Sequence, residues 1–177
     1  MPETKTVARS RCVMTEIVLP NDSNGLGNMM GGRLLHLMDV AAAISAQRHA
    51  NQVCVTAAVD SVTFQAPIHE GDVVIIESQV NRAFNTSMEI ELNVWAENPR
   101  ARTKRKCNQA YFTFVAVDAD GRPMAVPEII PETDEERDRY NGAVRRRELR
   151  LLLSGRIDIQ DATLIRDLVT SIADAGA

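Results

Sequence analysis

Aromatic residues are scarce in this sequence, at 4% of 177 residues. Proteins that bind single-stranded nucleic acid usually stack its bases on aromatic side chains. The formal net charge of −4 also gives no excess of positive charge for binding a phosphate backbone. Composition therefore argues against a nucleic-acid partner.

The sequence also lacks a long apolar run. Its most apolar stretch, residues 34–46, is interrupted by His36 and Asp39 and is shorter than the roughly 20 residues that span a bilayer. The first residues, MPETKTVARSR, contain no apolar segment of a secretory signal. We therefore expect no membrane partner and a cytoplasmic location.

Cysteine and histidine are few and widely spaced. Cys12, Cys54 and Cys107 form no C-x-x-C pair, and each lies in an alternating apolar context. This pattern is typical neither of a disulfide framework nor of a zinc site, and it suits small core residues in a reducing compartment. The three histidines show no ligand spacing either, so no metal is expected.

The sequence does contain a strongly apolar helix that follows two glycines. After Gly31 and Gly32, apolar residues at positions 34–46 cover every side of the predicted helix, which is typical of a buried helix. Asp39 lies in it, three residues after His36 and on the same side. Desolvating a carboxylate costs several kcal/mol. Asp39 therefore has either a structural hydrogen-bond partner or a catalytic task.

Five segments are predicted to be strands because they alternate or are rich in β-branched residues. The clearest is the fourth, in which Met88, Ile90, Leu92 and Val94 alternate with Glu89, Glu91 and Asn93. No second helix separates the last four strands, so a doubly wound parallel sheet is disfavoured. We predict an α+β fold with a long buried central helix wrapped by a curved antiparallel sheet. The predicted strands span residues 11–19, 53–64, 73–82, 87–97 and 107–118.

The composition changes after Pro131. Thr133 and Glu136 have the spacing of a capping box, and Arg145–Arg150 add positive charge further along the same predicted helix. A second, shorter helix is predicted within residues 157–177 from the spacing of its apolar residues. The predicted organisation is a flexible segment at 1–10, a main domain at 11–131 and a charged helical extension at 132–177.

Four residues around the helix start form a candidate site. Gly31 and Gly32 expose N–H groups at the positive end of the helix dipole. Asn24 offers an amide in the preceding turn, and Asp39 offers a base. Together they suit a developing oxyanion and an attacking water. Two structural alternatives stay open: close packing at the glycines, and an Asn24 that only stabilises its turn.

The spacing P-x-D-x-N-x-x-G-x-x-x-G-G at residues 20–32, followed by Met38–Asp39, resembles the acyl-CoA thioesterases of the hot-dog fold. It is similar to the branch that holds bacterial short- and medium-chain acyl-CoA hydrolases and the brain acyl-CoA hydrolase. The resemblance covers about Val13 to Leu149. It continues through AQRH at 46–49, VT at 55–56, VTFQAP at 62–67, EGDV at 70–73, NTSME at 85–89 and FTFVAVD at 112–118.

The resemblance implies a hot-dog fold and hydrolysis of acyl-CoA to free CoA and a carboxylic acid. Subunits of this family pair edge to edge into dimers, often as trimers of dimers, with the site between subunits. Asp39 is implied as base or nucleophile, Asn24 as a positioning group, and the Gly31–Gly32 backbone as the oxyanion donor. No cofactor is implied, since coenzyme A belongs to the substrate.

Coenzyme A itself has implied contacts in the same resemblance. Arg82, Thr86 and Ser87 match the region that holds its pantetheine and phosphate parts. The basic run at Arg100, Arg102 and Lys104–Lys106 is a further candidate for the phosphates, with a solvated charged loop as the alternative. Met30 occupies a position that borders the acyl channel and often holds histidine or an aromatic residue in relatives.

Two other functions compete with hydrolysis. A hot-dog protein of this kind can bind acyl-CoA as a regulator without turning it over. A hot-dog dehydratase needs a histidine paired with a carboxylate, which His36 and Asp39 imitate. For His36 the default expectation is packing, or support of Asp39.

Overall fold

The computed structural model describes residues 4–60 and 62–175, without the side chains of residues 173–175. The predictions for residues 1–3, for Ser61 in the second predicted strand and for residues 176–177 lie outside this range. The chain divides into two compact units between Glu132 and Thr133, one residue from the predicted boundary.

The first unit is built on an antiparallel sheet of five strands in the order β2–β4–β5–β6–β3. β4, β5 and β6 follow one another as a meander, and β2 and β3 form the two edges. A separate parallel pair joins β1 to β7. The strands are β1 (Thr4–Thr6), β2 (Cys12–Ile17), β3 (Val53–Asp60), β4 (Val73–Ala83), β5 (Ser87–Asn98), β6 (Thr103–Val117) and β7 (Glu128–Ile130).

One helix, α1 (Gly31–Ala50), packs against this sheet. Its buried residues recur at helical spacing, and the small side chains of Ala41, Ala42 and Ala46 bring it close to the strands. The helix ends where Asn51 adopts a left-handed conformation, with φ of 54°. The predicted long central helix on an antiparallel sheet is therefore confirmed.

Only one face of α1 is buried in the single chain. Met38 is fully buried, whereas Gly32 and His36 are exposed and Asp39 is half-buried. The sheet covers one side of a helix whose opposite side is also largely apolar. The sequence pattern predicts burial on all sides of α1, but the single chain leaves one of its faces uncovered.

The sheet face toward α1 contains the core. Met88, Ile90, Leu92 and Val94 of β5 are fully buried there, as their alternation predicts. Glu89 and Glu91 point to the other face, yet they are only 2% and 3% exposed. Asn81 donates a hydrogen bond to Glu89, and Gln109 donates one to Glu91.

The described part of the predicted flexible segment is ordered, which corrects the prediction for residues 4–10. Lys5 is 5% exposed, and its Nζ donates to the backbone oxygens of Arg48 and His49 at the end of α1. Ser10 Oγ accepts from the Val80 N–H at 2.9 Å. No local pattern predicts this order, because the partners of Lys5 and Ser10 lie far along the chain.

The predicted basic loop at residues 98–106 is mostly strand. β6 begins at Thr103, so the connection to β5 is only the four residues 99–102. Arg105 is held by an ion pair with buried Asp72 at 2.8 Å. Lys104 and Lys106 lie 5.0 and 6.0 Å from the centre of the Trp95 ring. These contacts fix Arg105 in the structure, whereas Arg100 and Arg102 remain exposed in the turn.

The second unit contains the two predicted helices, α2 (Asp134–Leu153) and α3 (Thr163–Ala175). The capping box is formed, with the Glu136 N–H donating to Thr133 Oγ1 and the Thr133 N–H to Glu136 Oε2. Ser154 and Gly155 end α2, as predicted. Glu148 accepts from the Ile165 N–H at 2.7 Å and joins α3 to α2.

All three cysteines are buried and unpaired, as their apolar contexts predict. Burial raises the pKa of Cys54 to about 11, so this thiol is protonated and unreactive at neutral pH. None of the described helices combines the length and the apolar character needed to cross a membrane.

Candidate active site

Asp39 and Thr56 form the centre of the candidate site. Thr56 Oγ1 donates a hydrogen bond to Asp39 Oδ1 at 2.7 Å, joining α1 to the edge strand β3. The strand register shifts between Thr56 and Ala58, a bulge of the kind that re-aims side chains near active sites. No described residue bonds Asp39 Oδ2. One carboxylate oxygen is therefore fixed in orientation while the other is open to a water or a substrate.

Thr56 was not predicted as a site residue. In the sequence it stands out only as a hydroxyl within a β-branched run and as part of the VT step at 55–56 that the resemblance includes. His36, which was expected to pack or to support Asp39, is exposed and makes no described hydrogen bond to it. The histidine–carboxylate pair that a dehydratase requires is thus not formed in the described chain.

The first turn of α1 presents its backbone to the outside. Met30, the N-cap residue, makes no side-chain capping bond, and the first described helical bond runs from the Leu34 N–H to the Met30 oxygen. A Cβ placed on Gly32 would meet nothing within 4 Å. Close packing within the chain therefore does not explain the glycine at position 32. The space that a side chain would occupy at this position is open.

Asn24 is exposed, and its amide has a defined orientation. Its Oδ1 accepts hydrogen bonds from the backbone N–H groups of Leu26 at 2.9 Å and Asn28 at 3.2 Å. The amide oxygen therefore stabilises its own turn, which was one of the two interpretations. No described residue accepts from Nδ2, so the same side chain still offers a donor. A ligand at this position meets an N–H group rather than an oxygen.

The loop that carries Asn24 is tied to the start of α1. The Met30 N–H donates to the Asp22 backbone oxygen at 2.8 Å, and Ser23 bridges to Met29. Arg33 of α1 donates to Asp22 and to Glu16 of β2, both at 2.9 Å. These bonds hold the loop beside the first turn of the helix.

A second loop meets the helix start, and Asp72 organises it. Asp72 is fully buried and accepts from the His69 N–H, Asn98 Nδ2 and Arg105 Nη2. Burial alone would raise the pKa of Asp72, but these hydrogen bonds and the charge of Arg105 outweigh it and lower the pKa. Arg105 also donates to the Pro67 oxygen at 2.7 Å and so fixes the loop.

The residues implied for coenzyme A lie at the other end of the sheet. Thr86 and Ser87 follow the turn after β4, whereas the Asp72 loop precedes the first residue of that strand. Eleven residues of strand separate the two ends, roughly 35 Å. The structure brings Asp39 and Thr56 together, with Asn24 beside Gly31 and Gly32. Ser87 pairs with Val115 of β6, and Val115 pairs with Val55 of β3, so Ser87 lies two strands across the sheet from the residue before Thr56.

Within the described residues, no group of three or more His, Cys, Asp or Glu side chains is arranged to hold a metal ion. The chemistry available at the site is that of a carboxylate, a hydroxyl, an amide and backbone N–H groups. This set suits acyl transfer to water, in which an oxyanion develops and a proton must be accepted.

Comparison with known proteins gives a consistent result. The thioesterase superfamily matches residues 26–102. An uncharacterized acyl-CoA thioester hydrolase of Bacillus subtilis is 39% identical over 145 residues, which cover 82% of this chain and 84% of that protein.

Two solved structures are also similar. A hexameric acyl-CoA thioesterase in its apo form superimposes with a TM-score of 0.84 and 38% identity, over 86% of this chain and 97% of that one. An acyl-CoA hydrolase of Staphylococcus aureus, solved with butyryl-CoA, CoA and CoA disulfide, gives a TM-score of 0.79 and 35% identity, over 86% and 95%. These likenesses confirm the predicted hot-dog fold.

The Staphylococcus aureus hydrolase has also been solved as three alanine variants, at an asparagine, an aspartate and a threonine. In that protein the aspartate follows the asparagine by 15 residues, and the threonine follows the aspartate by 17. Asn24, Asp39 and Thr56 have the same two spacings here. The same three residue types were thus selected for substitution in a similar protein.

Proposed function

Because this chain belongs to the acyl-CoA thioester hydrolases of the thioesterase superfamily, we propose that it hydrolyses acyl-CoA to free CoA and a carboxylic acid. The observation that carries the proposal is the Thr56–Asp39 hydrogen bond, which orients a half-buried carboxylate on the same helix that begins with open N–H groups. Asp39, Asn24 and Gly32 are the proposed catalytic groups, and Thr56 joins them as the positioning residue of Asp39.

Asp39 acts as a general base in this proposal. Oδ2 accepts a proton from water while the water oxygen forms a bond to the thioester carbon. The carbonyl oxygen becomes an oxyanion, which accepts hydrogen bonds from the N–H groups of Gly31 and Gly32 and from Asn24 Nδ2. The C–S bond then breaks, and the proton held by Asp39 passes to the CoA thiolate. Asn24 is assigned to the oxyanion because its Oδ1 is already occupied.

Arg82, Thr86 and Ser87 are proposed to hold coenzyme A in an assembly of two or more chains. They lie at the end of β4 away from the helix start, and Ser87 lies two strands across the sheet from Val55, the residue before Thr56. Gly31 is proposed to bind the substrate through its N–H.

The sheet edge at β3 supports a dimer in this proposal. Among the described strands β3 pairs only with β6, and Val53, Val55 and Val59 are 63%, 45% and 48% exposed. An apolar edge strand of this kind is a template for pairing with a second chain. Thr56 lies on the same strand, so pairing here would place the site at the subunit interface. A trimer of such dimers is the proposed assembly, by analogy with the hexameric neighbour.

Release of free thiol from a panel of acyl-CoAs tests the hydrolase proposal. The wild-type protein is expected to release CoA, whereas Asn24→Ala loses most of its turnover. Asp120→Asn is a control because this side chain lies 71% exposed in a turn, paired with Arg122. Binding of acyl-CoA without thiol release at any chain length would favour the regulatory alternative and contradict the hydrolase.

A further inference from the structure

An apolar cavity of about 330 Å³ lies beside the start of α1. Its walls come from the helix start and from the loop that Asp72 fixes. Two of its lining residues, Leu34 and Ile68, are buried, at 3% and 4% exposed. The volume is within the range of small-molecule sites, which are concave and mostly apolar. The lining residues are Asn28, Met29, Gly31, Leu34, Phe64, Gln65, Ala66, Pro67 and Ile68.

Phe64 is the wall residue with the most direct relation to the proposed reaction centre. A Cβ placed on Gly31 would lie 3.2 Å from Phe64 Cζ, so the phenyl ring is in close contact with the first residue of the helix. Phe64 is also 52% exposed, so it lies where the cavity meets the solvent. An acyl chain whose carbonyl oxygen is bound at the helix start enters the cavity past this ring.

The position of Phe64 is fixed by its neighbours. Asn108 Nδ2 donates to the Thr63 oxygen at 2.7 Å, and the Gln65 N–H donates to the Cys107 oxygen at 3.0 Å. Both bonds connect the loop to β6. The ring is therefore carried by a backbone anchored on both sides, and it provides a constant boundary for the cavity.

We propose that this cavity takes the acyl chain and that Phe64 limits the chain length, a claim that rests on the proposed hydrolase function. At about 330 Å³ the cavity is at the low end of small-molecule sites, which span roughly 300–1,000 Å³. The preferred substrates are therefore short- to medium-chain acyl-CoAs.

Met30 is, like Phe64, a large apolar residue near the helix start, but it does not line the cavity. The resemblance assigns the border of the acyl channel to this position, but Met30 is 41% exposed and is not among the residues that line the cavity. Met29, its neighbour, lines it instead. Met30→Ala is therefore the matched control for a large apolar side chain near the helix start.

Two variants test the proposal in opposite directions. kcat/KM is measured for acyl-CoAs from two to sixteen carbons with the wild-type protein, Phe64→Ala, Ala66→Leu and Met30→Ala. Phe64→Ala opens the cavity and is expected to raise the ratio of long-chain to short-chain kcat/KM by about tenfold. Ala66→Leu fills it and is expected to lower medium-chain kcat/KM by about tenfold while two- to four-carbon substrates are unaffected.

Each outcome decides between the proposals. Opposite shifts in the two variants, both larger than the shift in Met30→Ala, support the assignment. An active enzyme whose chain-length profile is unchanged in Phe64→Ala, or moves as far in Met30→Ala, overturns it and leaves the hydrolase proposal intact. A wild-type protein that hydrolyses no acyl-CoA overturns the hydrolase proposal and this inference with it.

Discussion

The two oxygens of Asp39 have different environments. Oδ1 accepts the 2.7 Å hydrogen bond from Thr56, while Oδ2 has no partner among the described residues. A carboxylate with one oxygen held keeps the other in a fixed direction, which is what a general base requires. In this account Thr56 acts on the reaction only through Asp39.

Thr56→Val keeps the branched shape and removes the hydroxyl. We expect turnover at saturating acyl-CoA to fall by about tenfold, since a hydrogen bond to a charged group is worth about 1.5 kcal/mol or more. KM is expected to stay near the wild-type value, because the hydroxyl orients the base rather than the substrate. Thr56→Ser is the matched rescue variant, and a Ser variant as slow as the Val variant would contradict this role.

Gly32→Ala separates a packing role from a catalytic one. The added Cβ meets no atom of its own chain, and alanine favours helix over glycine by up to about 1 kcal/mol. We expect the free energy of unfolding to stay equal or rise while turnover falls by about tenfold or more, because the methyl group occupies the substrate side of the oxyanion donors. Urea unfolding and thiol release measure the two quantities. Loss of stability with unchanged turnover would indicate packing instead.

At this scale the sequence predicted Asn24, Gly31, Gly32 and Asp39 as neighbours on a loop and the helix that follows it. It did not predict Thr56, because the Thr56–Asp39 contact depends on how β3 lies against α1 and on the bulge after Thr56. Neither feature leaves a local pattern in the sequence.

Among the structural elements, the loop before β4 connects the helix start to the rest of the sheet. Buried Asp72 accepts bonds from the His69 backbone, Asn98 and Arg105, and Arg105 in turn holds Pro67. The cavity wall and the first turn of α1 both depend on this arrangement. Protonation of Asp72 should therefore lower the stability of the folded chain, and activity should fall as a consequence.

Stability is expected to depend on pH through Asp72. Its pKa in the folded chain is below the ordinary value of 3.8, so the carboxylate binds protons more readily in the unfolded chain. This contribution is fully present above the unfolded pKa and is lost as the pH falls through 3.8 toward the folded pKa. Urea unfolding between pH 3 and pH 6 measures it. Asp72→Asn should flatten this part of the profile, and an unchanged acid slope in that variant would assign the effect to other groups.

Secondary structure was largely predictable because periodicity and capping are local. α1, the capping box of α2 and the alternation of β5 all follow from such patterns. The ordered residues 4–10 and the strand at Thr103–Lys106 were not predicted. Buried Lys5 contacts the end of α1 and Arg105 pairs with Asp72, and both contacts join residues more than 30 positions apart.

At the scale of the whole molecule, a single chain leaves three features uncovered. They are the apolar edge of β3, the half-buried Asp39 and the open space at Gly32. We propose that a second copy pairs at β3, covers this edge and contributes its own Asn24 to the site, as the family resemblance implies.

Mixing two inactive variants tests a shared site. Asn24→Ala and Asp39→Ala are each expected to be inactive alone, since every site then lacks one group. Refolded together in equal amounts, they should regain about a quarter of wild-type turnover, because half of the random pairs are mixed and each mixed pair holds one intact site of two. Size-exclusion chromatography of tagged chains verifies the exchange. Mixed pairs without activity would place both residues in one chain.

The most direct test of the account is the turnover of Asp39→Asn at saturating acyl-CoA. Asparagine keeps the size of the side chain and still accepts the Thr56 hydrogen bond, but it is not a base. The account predicts a fold and an acyl-CoA affinity close to wild type and a turnover lower by about 10²–10⁴. A variant that binds acyl-CoA and releases CoA at nearly the wild-type rate would contradict it.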